Sequence, residues 1–205
     1  MDRVGERQQR ADKKRDIKPT IALELKDVIY RISHMTYIPV KDVCQQMTIL
    51  VLKDRKSMEQ LSKYFKRDLR VENTFFMGSI TNEGIVKRRK EAGERVTIRY
   101  TQKEYESLAA LSYALDCTPS RTVALLLEIG MQNIKFINAF IKQHLQKELS
   151  NTQMRELREI LKYVSEVDDT HHSWASLLAL VNEEIGSPVQ NIRESITEFI
   201  KMKWR

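Results

Sequence analysis

Arg95, Thr97 and Arg99 occupy every second position of the run Arg95-Val96-Thr97-Ile98-Arg99-Tyr100. In an extended strand that spacing puts two guanidiniums and a hydroxyl on one face, and Val96, Ile98 and Tyr100 on the other. A guanidinium is a planar fork of N–H donors, and a hydroxyl both donates and accepts. The chemistry on offer is recognition through hydrogen bonds. Catalytic signatures are missing: the chain has no Gly-rich phosphate loop, no Gly-x-Ser-x-Gly and no identifiable pair of catalytic carboxylates. Asp168-Asp169-Thr170-His171-His172 invites the reading of a metal-dependent nuclease. Adjacent histidines point in different directions, however, and no Cys/His cluster completes a ligand set. That stretch is expected to be an exposed interhelical loop. No catalytic residue, metal or cofactor is expected, and the chain is not expected to be an enzyme.

The elements around the strand are legible. Thr101 with Glu104 three residues on is a capping-box signature. Tyr105, Leu108, Leu111, Ser112 and Leu115 then follow one side of a helix, which ends at Asp116-Cys117. Thr118-Pro119 reads as an N-cap and a first helical residue, and Val123, Leu126, Leu127 and Gly130 continue a second helix. Its free N–H groups and positive dipole end suit a phosphate, as do Thr118, Ser120 and Arg121.

One strand cannot make a ribbon, so a second copy is needed, from another chain or from upstream in this one. Shifting the sequence by 80 residues sets Leu25 on Tyr105, Val28 on Leu108, Met35 on Leu115, Pro39 on Pro119 and Val43 on Val123. The upstream strand fits with a one-residue offset that places Ile17 on Ile98. Lys14, Asp16 and Lys18 then share the face of Arg95, Thr97 and Arg99, and Val40 and Lys41 sit at the start of the second helix. Pro19 is tolerable only at a strand end or edge. Thr20–Leu25 also alternates and is the competing position for this strand.

Five regions follow: a charged tail over 1–13, a first strand–helix–helix copy over 14–56, a helix and basic linker over 57–93, a second copy over 94–130, and a helical C-terminal domain over 131–205. In the linker region Ser57 is expected to cap a helix, the stretch 71–84 reads as a loop with at most a short strand, and Lys87-Arg88-Arg89-Lys90 precedes the second strand. The C-terminal region reads as four helices in a small bundle. The first is able to continue the helix before it, and Ser187-Pro188 opens the last.

The net charge of +7 is uneven. Residues 1–100 hold 23 Lys/Arg against 14 Asp/Glu, and residues 101–205 hold 12 against 14. The basic front half suits a polyanion. No apolar run approaches about 18 residues, so no membrane span is expected. The first residues are too polar for a signal peptide. Cys44 and Cys117 read as buried, reduced thiols of a cytoplasmic protein.

The Arg-x-Thr-x-Arg strand face, the apolar first helix and the Thr118-Pro119-Ser120-Arg121 start of the second resemble the ribbon-helix-helix (Arc/MetJ/CopG-like) superfamily of DNA-binding proteins. The resemblance covers about 37 residues, and its motifs are degenerate. It implies a mostly α fold in which a two-stranded antiparallel ribbon enters the major groove of double-stranded DNA. Arg95, Thr97, Arg99, Lys14 and Lys18 would contact bases. Arginine grips guanine O6 and N7, and threonine bonds a base edge or touches a thymine methyl. Thr118, Ser120, Arg121, Val40, Lys41, Lys87, Arg88, Arg89, Lys90 and Arg15 would contact phosphates. The expected function is transcriptional repression in a bacterial or mobile-element operon, in the cytoplasm on nucleoid or plasmid. Plasmid partition, replication control and relaxosome accessory roles use the same fold. The C-terminal helices would join a second copy or a protein partner. A helical scaffold or adaptor without DNA is the alternative of another class.

Overall fold

The computed structural model describes residues 14–85, 92–167, 173–185 and 191–203, and these are mostly helical. In chain order the elements begin with β1 (Arg15–Ile17), β2 (Thr20–Ala22), α1 (Leu23–Thr36), α2 (Val40–Lys53), α3 (Arg55–Ser62), β3 (Leu69–Val71) and β4 (Thr74–Phe76). They continue with β5 (Gly93–Arg95), β6 (Ile98–Tyr100), α4 (Gln102–Ala114), α5 (Pro119–Gln132), α6 (Ile134–Glu148), α7 (Asn151–Val167), α8 (Trp174–Ile185) and α9 (Ile192–Lys203). Two compact units result. Among the described residues, one joins the segment up to Leu23 with Leu52–Leu126, and the other joins Glu24–Val51 with the segments from Leu127 onward.

In the first unit β1 pairs with β6 and β2 with β5, both antiparallel. The two ladders share one register: Arg15 lies opposite Tyr100, Ile17 opposite Ile98, Thr20 opposite Arg95 and Ala22 opposite Gly93. Between them the Val96 N–H donates to the Pro19 carbonyl at 3.1 Å. Proline has no N–H to give a ladder, so it sits where the pairing is interrupted. The two competing positions for the upstream strand are therefore successive parts of one extended segment. A lone two-stranded ribbon is marginal in water. This one rests on Ile17, Ile21, Ile98 and Tyr100, all buried. Each such side chain contributes roughly 1.5–3 kcal/mol by leaving water.

α4 starts with the capping box that the sequence predicts. The Glu104 N–H donates to Thr101 Oγ1 at 3.3 Å, and the Thr101 N–H to Glu104 Oε2 at 2.8 Å. α3 departs from expectation. Its cap is Asp54, whose carboxylate accepts from both the N–H and the hydroxyl of Ser57 at 2.8 Å. After α3 the segment expected to be largely loop forms the hairpin β3–β4. Glu72 in its turn is left-handed, at φ 51°.

The strand–helix–helix order occurs twice at a spacing of 79 residues, not 80. α1 and α4 begin 79 residues apart, as do α2 and α5. Tyr37 and Asp116, the left-handed residues after α1 and α4, keep that spacing at φ 57° and 52°. α2 buries Val43, Cys44, Met47, Thr48, Val51 and Leu52; 79 positions on, α5 buries Thr122, Val123, Leu126, Leu127, Gly130 and Met131. The prolines misalign because they do different jobs. The Pro39 carbonyl accepts the first helical bonds, from the N–H groups of Asp42 at 2.8 Å and Val43 at 3.0 Å. Pro119 is already the first residue of its helix, and the carbonyl of Thr118 takes that role, at 2.9 Å from the Thr122 N–H.

In the second unit α6 packs against α7 and α8, and α8 against α9. Asn133 interrupts the helix the sequence allowed to run on. Its side chain accepts from the Lys135 N–H at 3.0 Å and starts α6 afresh. α9 is capped by Asn191, whose side chain accepts from the Glu194 N–H at 3.0 Å. The expected cap at Ser187-Pro188 lies outside the described residues. Gln153 on α7 donates to Thr197 on α9 at 3.0 Å.

His144 on α6 makes this unit sensitive to acid. Burial holds its imidazole below the ordinary value, Lys147 adds to that, and Glu148 and a backbone hydrogen bond at Thr36 oppose it. The unfolded chain therefore takes up this proton at a higher pH than the folded one. The contribution to stability is complete above the ordinary histidine value and is lost as pH falls through the folded one. In urea titrations over about pH 5 to 7.5, the parent is expected to weaken with acidification below about pH 6.5, and His144→Gln to weaken less steeply.

Candidate nucleic-acid interface

The ribbon has two unlike faces. Ile17, Ile21, Ile98 and Tyr100 are buried beneath it, whereas Lys14, Asp16, Lys18, Thr20, Arg95, Thr97 and Arg99 are exposed. Alternation along each strand puts Asp16, Lys18 and Thr20 on the same side as Arg95, Thr97 and Arg99. Thus Lys18, Arg95, Thr97 and Arg99, named from sequence as base contacts, lie on one face within one chain. Lys14, just before β1, keeps the same alternation.

Across that face Asp16 stands opposite Arg99 and Thr20 opposite Arg95. The Arg99 Nε lies 3.4 Å from the Asp16 carboxylate. Continuing the register places Lys18 opposite Thr97, at the centre of the exposed row. Arg15 differs from its neighbours. Its Nε donates to Gln102 Oε1 at 3.2 Å, and its guanidinium lies 5.6 Å from the centroid of the Tyr105 ring. It is anchored to the first turns of α4 while remaining exposed.

The start of α5 belongs to the same compact unit. Thr118 caps it, with its hydroxyl 3.3 Å from the Arg121 N–H, and Ser120 and Arg121 are half-buried. The preceding turn is fixed from both sides. From α5 itself, Thr122 Oγ1 accepts from Ser112 at 2.8 Å and lies 3.1 Å from the Cys117 sulfur. From outside, Arg67 donates to the Tyr113 carbonyl at 2.7 Å and to the Asp116 carboxylate at 2.8 Å, with its guanidinium 4.3 Å from the centroid of the Tyr113 ring. These bonds hold the first turn of α5 in place, with its N–H groups presented as a helix start presents them.

The start of α2 belongs to the other unit; there Val40 is half-buried and Lys41 exposed. Lys87, Arg88, Arg89 and Lys90 lie outside the described residues, as does the Asp168–His172 stretch. Among the described residues no three His, Cys, Asp or Glu side chains group as a metal site requires. Cys44 is buried, and burial pushes its thiol up to about 12. Cys117 is only half-buried, and burial again raises its thiol. Neither thiol is set up as a nucleophile, because reactivity belongs to the thiolate.

No protein family, curated protein or solved structure matches this chain.

The interface must therefore be read from its own residues. Two of them escaped the sequence as contributors. Thr20 faces Arg95 across the ribbon, which follows once Ile17 is set opposite Ile98. Arg67 has no local signal at all, because its partners lie more than forty residues on and are reached only through the fold of α3 and the hairpin. Among the described residues no single helix is long and apolar enough to cross a membrane.

Proposed function

We propose that this chain is a tandem ribbon-helix-helix protein that binds double-stranded DNA sequence-specifically, with both strands of its ribbon drawn from one chain. The observation that carries the reading is the ribbon face. Arg95, Thr97, Arg99 and Lys18 project from one antiparallel pair, above a buried row of Ile17, Ile21, Ile98 and Tyr100. The major groove admits a two-stranded ribbon and displays a base-specific pattern of donors and acceptors. Arginines on such a ribbon reach guanine O6 and N7, and Thr97 and Lys18 read the centre. The capped start of α5, with Thr118, Ser120 and Arg121, takes a phosphate, and the start of α2, with Val40 and Lys41, does the same for its own copy.

The chain acts by binding rather than by catalysis, in the cytoplasm on nucleoid or plasmid DNA. The role this fits best is repression of a bacterial or mobile-element operon. Partition, replication control and relaxosome accessory duty differ from it in where the sites lie. The C-terminal helices join a second copy or a protein partner.

Selection from random duplex is the test. The full chain should enrich a defined sequence, and its binding to unrelated duplex should fall steeply with added salt as counterions are released. Mapping the enriched sequence along the genome then separates the roles. One site beside the chain's own gene means a repressor, and clustered repeats mean partition or replication control. A chain that enriches nothing and binds without salt dependence is not a DNA-binding protein of this kind.

A further inference from the structure

The 79-residue spacing makes the ribbon's two strands equivalent by position but not by chemistry. Arg95 corresponds to Asp16, Thr97 to Lys18 and Arg99 to Thr20. The register carries the same relation across the strands: exchanging them turns the pair Asp16–Arg99 into the pair Arg95–Thr20, with Lys18 and Thr97 on the axis. One end of the face is an arginine beside a carboxylate, and the other is an arginine beside a hydroxyl. We propose that the ribbon reads a non-palindromic duplex, and that Asp16 is the positioning residue that makes its two halves differ; this rests on the DNA-binding reading above.

A carboxylate on a face that approaches phosphates is repelled by them within a Debye length of about 10 Å. Its presence needs a reason, and fold stability is a poor one. The Asp16 and Arg99 side chains are 43% and 62% exposed, and ion pairs so open to water stabilise little. Orientation is a better reason. A guanidinium has a side edge that includes Nε and an end edge made of its two terminal nitrogens. The carboxylate lies by Nε, at 3.4 Å. That arrangement assigns the end edge to a base, where guanine O6 and N7 accept two parallel bonds. Arg95 faces Thr20 instead, which carries no charge to fix a guanidinium in the same way. The Asp16 end should therefore read its base pair strictly while adding least to general attraction. The Arg95 end should attract more and discriminate less.

The test measures binding of the full chain to its selected duplex and to every single-base-pair variant of it. The parent should select a site without two-fold symmetry. In Asp16→Asn, discrimination at the base pair under Arg99 should fall about five- to fiftyfold, within what one bidentate contact supplies. Discrimination under Arg95 should stay as it was, and affinity for unrelated duplex should rise several-fold as an anion is removed. Thr20→Asp is the mirror variant and should sharpen discrimination under Arg95. A palindromic parent site overturns the proposal, as does an Asp16→Asn profile that is unchanged or weakened equally at all positions. Each of those outcomes leaves DNA binding standing. A parent that selects no sequence overturns both readings together.

Discussion

Replacing Arg95 and Arg99 together by alanine is expected to abolish the preference for the selected duplex and leave a folded chain that binds weakly to any sequence. On the proposed reading each arginine bonds a guanine through two donors, a contact that supplies about 1–3 kcal/mol of discrimination. The two lie four residues apart on one extended segment, Arg95 ending β5 and Arg99 within β6, on the order of 13 Å, far enough for their contributions to add. The double variant should therefore lose on the order of 2–6 kcal/mol at the selected site, and much less on a scrambled duplex. Both arginines are exposed. Surface substitutions away from caps and core move stability by only about 0.5 kcal/mol, so the melting curve should hardly change. Because both arginines are assigned to bases rather than to phosphates, the slope of log affinity against log salt should stay close to the parent's. Titration of the parent and the variant on the selected and scrambled duplexes at two salt concentrations reads all of this. If the variant binds both duplexes as the parent does, the ribbon face is an ordinary solvated surface.

The parts of this face that sequence makes legible are those governed by near neighbours. Alternation separates Arg95, Thr97 and Arg99 from Ile98 and Tyr100, and the Thr101–Glu104 box and the Thr118-Pro119 cap are written within four residues. Partnership across the ribbon is only half legible. Setting Ile17 on Ile98 takes the two as equivalent by repeat, whereas they lie opposite each other and at 79 residues Ile17 corresponds to Val96; the prolines likewise pull the comparison toward 80 because proline looks alike whether it precedes a helix or begins one. The turns that keep the true spacing offer no signal. Tyr37 and Asp116 are left-handed where glycine or asparagine is the usual sign. Ser57 looks like a cap, yet Asp54, three residues earlier, accepts from it and starts α3. The hairpin and the Arg67 clamp depend on contacts far along the chain, beyond any periodicity.

Ile98→Ala should test the same ribbon from beneath and give the opposite pattern. Ile98 is fully buried and pairs with Ile17, which is 3% exposed. Truncation to alanine removes the apolar contact and leaves a cavity, a change that costs about 2–5 kcal/mol in a core that cannot collapse onto the gap. A whole domain is worth only about 5–15 kcal/mol, so the variant should unfold at markedly lower urea. Thr97 and Arg99, its neighbours on the strand, point to the other face and keep their side chains. At a temperature where the variant is still folded, its order of preference among duplexes should match the parent's, with affinity reduced equally for all of them. A preserved stability would mean that the ribbon does not rest on this pair. A changed order of preference would mean that the buried row sets the geometry of Arg95 and Arg99 rather than merely supporting it. The two variants together should separate reading from folding, because the arginine pair is expected to alter selectivity at constant stability and the isoleucine to alter stability at constant selectivity.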